Sequence, residues 1–209
     1  MTRFFLDNKE ISPPLDAASL AQILKHVEDA YLPANSVVRK IQIDGRPLMA
    51  ESFSESQPEM LSQILNREQV EIFTATLSEI ANDSIAEARS YLDRIEAAIP
   101  SLAESFRISP DPEAFRNLRQ LCEGFYWLNI LLDKLKTNFQ LQFENMPIQG
   151  ISAAEYHQRF ISILHQLVES QQTGDFVLIS DLLEYEILPL VPIWKEMLGA
   201  VLAKMNMTQ

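Results

Sequence analysis

The sequence predicts an α+β protein: a small N-terminal module of strands and one helix, residues 1–76, followed by an antiparallel four-helix bundle, residues 77–209. Three observations support this prediction. Short alternating segments separated by turn residues are confined to the first third of the chain. Beyond them, apolar residues recur every three or four positions. The chain has only five glycines in 209 residues, which favours long helices with few tight turns.

The N-terminal module is predicted to contain a hairpin, a helix capped by Asp16, a second hairpin and a final strand. This order is compatible with a β-grasp-like pattern, in which a small sheet covers one helix, although a fold pattern carries no function. The predicted segments are residues 3–6 with 10–11, 16–31, 37–43 with 47–53, one or two helical turns at 60–65, and 70–74.

The four helices of the bundle are marked by helix-start signals and short connections. Thr76 with Glu79 and Ser152 with Glu155 have the spacing of capping boxes. Short connections favour an up-down-up-down order. Pro100 is expected to end or kink the first helix, and the second is expected over residues 112–144. The stripe predicted along the second helix is Phe115, Leu118, Cys122, Phe125, Asn129, Leu132, Lys136, Phe139 and Phe143.

Charge and cysteine content restrict the partners and the compartment. The formal net charge is -12, and phosphate backbones and anionic lipids both attract basic surfaces. We therefore expect a protein partner, with no nucleic acid and no membrane. Cys122 is the only cysteine, which favours a reducing compartment, and residues 1–7 hold no long apolar run. These features predict a cytoplasmic location.

No residue pattern of a catalytic, cofactor or metal site is evident. None of the three histidines, His26, His157 and His165, follows a glutamate at the Glu-x-x-His spacing of di-iron bundles. Cys122 lies on an apolar stripe and is expected to be a small buried hydrophobe. The few scattered glycines form no phosphate-binding loop. We expect no catalytic residue, no cofactor and no metal, and a protein that is not an enzyme.

The most unusual segment is residues 174–194, where Pro189 and Pro192 interrupt a helical pattern. Each proline would cost about 3 kcal/mol inside a regular helix. A bend near Pro189 is therefore expected, and burial of the apolar stripe must offset the lost backbone bonds. The stripe through the prolines is Leu183, Ile187, Leu190 and Trp194.

Acidic residues and a tyrosine stand just before these prolines. Asp181, Glu184 and Tyr185 form an acidic-aromatic recognition surface for a partner, or else they are solvated side chains on a kinked helix that wraps the core. Both interpretations are open, and the second is simpler because prolines also mark plain bends.

Three consecutive aromatic residues on the second helix, Phe125, Tyr126 and Trp127, cannot all face one stripe, since successive helical residues are about 100° apart. Either the helix is buried on two sides, or Trp127 or Tyr126 contacts a partner. Trp127 is therefore a fourth candidate partner-binding residue.

The run Asp-Leu-Leu-Glu-Tyr-Glu at residues 181–186 resembles a segment of uncharacterised bacterial proteins that pair a short N-terminal α/β region with a helical C-terminal one. This resemblance implies no activity and no site residue.

The leading hypothesis is a non-enzymatic protein-interaction module, adaptor or secretion-chaperone-like. Small acidic bundles that bind helical export substrates, such as flagellar and type III secretion chaperones, are similar in character but share no motif. One alternative is a structural homodimer that binds partners through its N-terminal sheet by strand addition. Another is an enzyme using carboxylates near Asp181 and Glu184, for which strongly shifted pKa values in a closed pocket would be the evidence.

Overall fold

A computed structural model of the protein describes residues 2–12, 20–33, 35–48 and 68–207. The α+β class is confirmed: a sheet with a helix precedes a mostly helical region. The chain divides into two compact units, Met1–Ile80 and Ala81–Gln209. The Asp16 cap, the return strand beyond residue 48 and the helical turns at 60–65 lie outside the described residues.

Within its described residues, the N-terminal unit contains a five-stranded mixed sheet whose spatial order is β2-β1-β5-β3-β4. The last strand, β5, runs parallel to β1 and antiparallel to β3. The first and last strands therefore meet in the middle of the sheet, and their pairing spans almost the whole unit. The strands are β1 (Arg3–Leu6), β2 (Lys9–Ile11), β3 (Ser36–Ile43), β4 (Arg46–Pro47) and β5 (Gln69–Thr76).

One face of this sheet packs against helix α1 (Leu20–Tyr31) through a small apolar core. Because side chains alternate along a strand, Phe4 and Leu6 share one face of β1, and Val70 and Ile72 share one face of β5. The turn between β1 and β2 is tied to β5, since the Thr74 N–H donates to the Asp7 carboxylate at 2.9 Å. The buried residues are Phe4, Leu6, Ile23, Val27, Ile41, Val70 and Ile72.

The helical region begins with α2 (Leu77–Ile108), α3 (Pro112–Asn138) and α4 (Ala153–Thr173). A continuous helical stretch follows, divided into α5 (Phe176–Asp181), a π-helical turn (Leu182–Ile187) and α6 (Leu188–Met207). A single turn of 3-10 helix (Phe143–Asn145) and two short strands, β6 (Pro147–Ile148) and β7 (Ile151–Ser152), connect α3 to α4.

Both predicted capping boxes mark helix starts. The Glu79 carboxylate accepts from the Thr76 N–H at 2.8 Å, and the Thr76 hydroxyl accepts from the Glu79 N–H at 3.1 Å. At the start of α4, the Ser152 hydroxyl accepts from the Glu155 N–H at 3.2 Å. These bonds satisfy N–H groups that have no partner within the helix.

Two predicted boundaries differ from the structure. Helix α2 does not end at Pro100 but continues through it, and the alternative of a kink there stays a prediction. The proline lies on the exposed side of the helix, where water can bond the carbonyl that it leaves free. Helix α3 ends at Asn138 rather than near Glu144, and Gln140 has a positive φ of 51°. The buried Phe143 therefore belongs to the connection after α3.

Aromatic contacts join α2, α3, α4 and α6 in one core. Tyr91 and Phe125 lie 6.3 Å apart between ring centroids, Phe125 and Phe160 lie 4.9 Å apart, and Phe160 and Trp194 lie 4.4 Å apart. Such pairs are favourable beyond the apolar area that they bury. Among the described residues, no helix combines the length and apolarity that a bilayer-spanning segment requires.

Candidate functional site

The π-helical turn coincides with the acidic segment before the prolines. The Leu188 N–H donates to the Leu183 carbonyl, five residues back instead of four. Pro189 follows directly; it has no N–H, and in a regular helix its ring would collide with the carbonyl four residues back. The wider π turn accommodates the proline without ending the helix. The structure thus has a π turn that ends just before Pro189, while the bend expected near this proline stays a prediction.

The predicted burial of the stripe through the prolines is confirmed. All four of its residues are at most 3% exposed: Leu183, Ile187, Leu190 and Trp194. Their apolar contacts anchor the π turn from beneath, so its outer residues are held on a fixed backbone.

Two ion pairs flank the outermost residue of the π turn. Glu184 pairs with Arg107 near the end of α2, and Glu186 pairs with Arg159 on α4 at 2.8 Å. Between them, Tyr185 is 62% exposed. Because all four charged side chains are partly solvated, each pair contributes under about 1 kcal/mol. Their main effect is to fix both carboxylates beside an exposed aromatic ring.

A groove of about 470 Å³ lies between α4 on one side and α5 with the π turn on the other. We call it the π-turn groove. Its base is apolar, since Ile163 and Leu182 are buried. Asp181 on its wall is exposed and makes no ion pair or hydrogen bond with any described residue. The lining residues are Arg159, Ser162, Ile163 and Gln166 of α4, with Leu178, Asp181, Leu182, Tyr185 and Glu186 opposite.

Helix α5 adds exposed apolar surface next to this groove. Val177 is 62% exposed and Leu178 is 40% exposed. Phe176, by contrast, packs against Phe106 and Phe115 at centroid distances of 6.1 and 5.7 Å. The side of α5 that carries Leu178 therefore continues the apolar lining of the groove toward Tyr185.

The four candidate residues fall in two places. Asp181 and Tyr185 line the π-turn groove, whereas Glu184 is held by Arg107. Trp127 on α3 is half-buried, with its ring 6.3 Å from Tyr91 and packed against the core. Partner binding by these residues stays a prediction.

Several residues of this region were not among the predicted candidates. Arg107 and Arg159 come from other helices, and nothing near them in the chain indicates that they pair with the acidic segment. Leu178 had a weak signal, because it stands three residues before Asp181 and seven before Tyr185, on one helix face. Tyr126, the other aromatic residue considered on α3, is 67% exposed.

A second polar cluster lies between α3 and α4. The His157 ring nitrogen Nε2 bonds the amide oxygen of Asn129, and the Trp194 ring lies 6.4 Å from the imidazole. Burial lowers the pKa of His157, and the nearby Asp133 carboxylate partly opposes this shift. Charging the imidazole in this place is therefore unfavourable.

The thiol of Cys122 is also partly buried. Burial raises its pKa to about 11, with a further contribution from Glu123, so the thiol is protonated at neutral pH. Among the residues that the structure describes, no three His, Cys, Asp or Glu side chains come together in a way that could hold a metal ion.

Comparison with known proteins places the chain in a family. A family model described as a domain of unknown function, DUF8042, matches residues 83–197, which include the π turn, its flanking arginines and all four candidate residues. No curated protein and no solved structure matches the chain. An uncharacterised family was expected from the Asp-Leu-Leu-Glu-Tyr-Glu run, and its bacterial origin stays an expectation. Because the match covers more than half of the 209 residues, the protein belongs to the DUF8042 family.

Proposed function

We propose that this protein is a non-enzymatic protein-interaction module, an adaptor or secretion-chaperone-like protein, that binds its partner in the π-turn groove. One observation carries the proposal: an exposed Tyr185, between two ion-paired glutamates, stands beside the unpaired Asp181 carboxylate at a groove whose base is apolar.

A rigid aromatic side chain is well suited to anchor a partner. Tyrosine offers large contact area and a polar hydroxyl, and it is enriched among the residues that dominate interface energies. Leu183 and Ile187 bury the inner side of the π turn, so little backbone ordering is needed on binding. π turns within α-helices are also frequent at functional sites.

We also propose that the helical unit is an antiparallel four-helix bundle, that the N-terminal unit has a β-grasp arrangement, and that the protein is cytoplasmic. The core contacts among α2, α3, α4 and α6 support an antiparallel four-helix bundle. The strand order β2-β1-β5-β3-β4, with helix α1 packed on one face of the sheet, supports a β-grasp arrangement. The single cysteine and the net charge of -12 support a cytoplasmic protein with neither nucleic acid nor membrane as its partner.

Catalysis by the carboxylates near Asp181 and Glu184 has less support. Glu184 is already engaged by Arg107, and Asp181 is exposed to solvent. A carboxylate acid-base pair needs a sheltered setting that separates the proton affinities of its members. The geometry of these two residues therefore favours binding over proton transfer.

The proposal is tested by affinity capture with matched tyrosine variants. Tyr185→Ser removes the proposed anchor, whereas Tyr126→Ser removes an equally exposed tyrosine on α3. Captured proteins from a lysate of the source organism are quantified by mass spectrometry, and circular dichroism establishes that both variants are folded. We expect proteins that wild type and Tyr126→Ser retain and that Tyr185→Ser loses. Equal recovery by all three proteins would contradict the proposal.

A further inference from the structure

We infer that the occupant of the π-turn groove is an amphipathic helix of another protein, with apolar anchors on one face and a lysine or arginine at its edge. This inference rests on the proposed function and specifies the chemistry of the partner.

The walls of the groove favour a helix over an extended strand. Both walls are helical, so their backbone N–H and C=O groups are largely bonded within their own helices. An added strand would find few backbone partners there, whereas a helix satisfies its own backbone and needs only side-chain contacts.

The spacing of the wall residues also matches a helix. Leu178 and Tyr185 are seven residues apart, which corresponds to about two helical turns, or roughly 10 Å. A partner helix presents apolar anchors every three or four residues over the same length. Leu178, which is 40% exposed, offers apolar surface that such anchors would contact, above the buried Ile163 and Leu182.

The charged residues that line the groove favour a cationic side chain of the partner at the rim. Three charged residues line it: Arg159, Asp181 and Glu186. Arg159 and Glu186 pair with each other at 2.8 Å, which leaves the exposed Asp181 carboxylate to be complemented. A lysine or arginine of the partner would supply that complement, while an acidic helix would meet like charge.

The inference is tested with synthetic peptides and the full chain. The probe is a fluorescein-labelled, alanine-based helix of about 18 residues, long enough to be partly helical in water, with leucines at helical spacing and lysines on one flank. Matched peptides replace the lysines by glutamate or the leucines by serine. Fluorescence anisotropy measures the dissociation constant of each.

We expect measurable binding of the Leu/Lys peptide alone. Tyr185→Ser should weaken it at least about tenfold, as expected for loss of an anchor. Asp181→Asn should weaken it about threefold to fivefold, as expected for a partly solvated ion pair. Glu123→Gln removes the same charge from an exposed residue outside the groove and should leave the affinity unchanged.

Three results would overturn the inference: no binding of the Leu/Lys peptide, equal binding of the Leu/Glu peptide, or equal losses from Asp181→Asn and Glu123→Gln. The third would show attraction to overall charge instead of a site. If capture from the lysate still depends on Tyr185 in any of these cases, the proposed function stands and only the partner chemistry is wrong. If Tyr185→Ser does not change which proteins are captured from the lysate, the proposed function itself is contradicted.

Discussion

The two units of this chain are stabilised in different ways. In the N-terminal unit, the core of the sheet joins residues as far apart in sequence as Phe4 and Ile72, and β5 must reach its place before β1 and β3 have partners on that side. In the helical unit, each helix forms most of its backbone hydrogen bonds within itself. The apolar stripes of the helices then pack against one another in a shared core. The sheet therefore depends on long-range register, and the helices depend on packing.

The two units can be observed separately. Trp127 and Trp194, the only tryptophans of the chain, both lie in the helical unit. Tryptophan fluorescence therefore follows the unfolding of the helical unit, and hydrogen exchange of the β3 and β5 amides follows that of the sheet.

The largest effect is expected from a cavity beneath the π turn. Leu183 is fully buried, so Leu183→Ala should destabilise the helical unit by about 2–5 kcal/mol and lower the urea midpoint of tryptophan fluorescence. Val27→Ala removes a fully buried side chain in the N-terminal unit and should instead raise exchange in β3 and β5. An equal fall of the tryptophan midpoint in Val27→Ala would show that the two units unfold together.

Two glycines of the helical unit should respond with opposite signs. A Cβ at Gly124 would overlap the ring and hydroxyl of Tyr91, which donates to the Leu121 carbonyl at 3.1 Å, so Gly124→Ala should cost about 1–3 kcal/mol. A Cβ at Gly199 meets nothing within 4 Å, so Gly199→Ala should stabilise α6 by about 0.5–1 kcal/mol. Urea denaturation of both variants measures the two changes in the free energy of unfolding. Destabilisation of equal size in both would refute close packing at Gly124 as the cause.

Acid should weaken the helical unit through His157. Because burial lowers its pKa in the folded protein, the unfolded chain takes up the proton first, near the ordinary pKa of about 6.5. Stability should therefore fall as the pH drops below that value, by at most about 1.4 kcal/mol per pH unit from this residue. Denaturation at several pH values should show a flatter dependence in His157→Gln. A pH dependence in His157→Gln as steep as that of the wild type would contradict the assignment to this residue.

The smallest effect is expected at the ion pairs of the π turn. Glu184→Ala breaks the partly solvated pair with Arg107 and should cost under about 1 kcal/mol, measured by the same fluorescence transition. Asp181→Asn, at an unpaired exposed residue, serves as the control and should change stability by under about 0.5 kcal/mol. Unfolding caused by Glu184→Ala would mean that the acidic segment is a structural network.

The stripe along α3 shows where periodicity was sufficient and where it was not. Leu118, Phe125 and Leu132 are buried as predicted. The half-buried Asn129 bonds His157, and Lys136 reaches out to Glu144 at 3.2 Å. Phe125 of α3 contacts both Tyr91 of α2 and Phe160 of α4, and the buried surface of α3 is broader than the predicted stripe. The buried residues are Ala114, Leu118, Leu121, Phe125, Leu128, Leu131, Leu132 and Leu135.

The prolines and acidic residues of the sequence located the candidate site, but they did not predict that its backbone forms a π turn. A π turn and a plain kink both accommodate Pro189, and packing on the inner side selects between them. The arginines that fix the two glutamates are 77 and 27 residues away in the chain, so no local pattern could identify them.

By itself, the sequence determined the α+β class, the capped helix starts and the burial of the stripe formed by Leu183, Ile187, Leu190 and Trp194, because propensity, capping and periodicity act over a few neighbouring residues. Only the tertiary structure decided the strand order, the continuation of α2 through Pro100, the π turn and the groove between α4 and α5. Each of these depends on which distant side chains share a surface, and local preferences of a fraction of a kcal/mol per residue are too small to determine that.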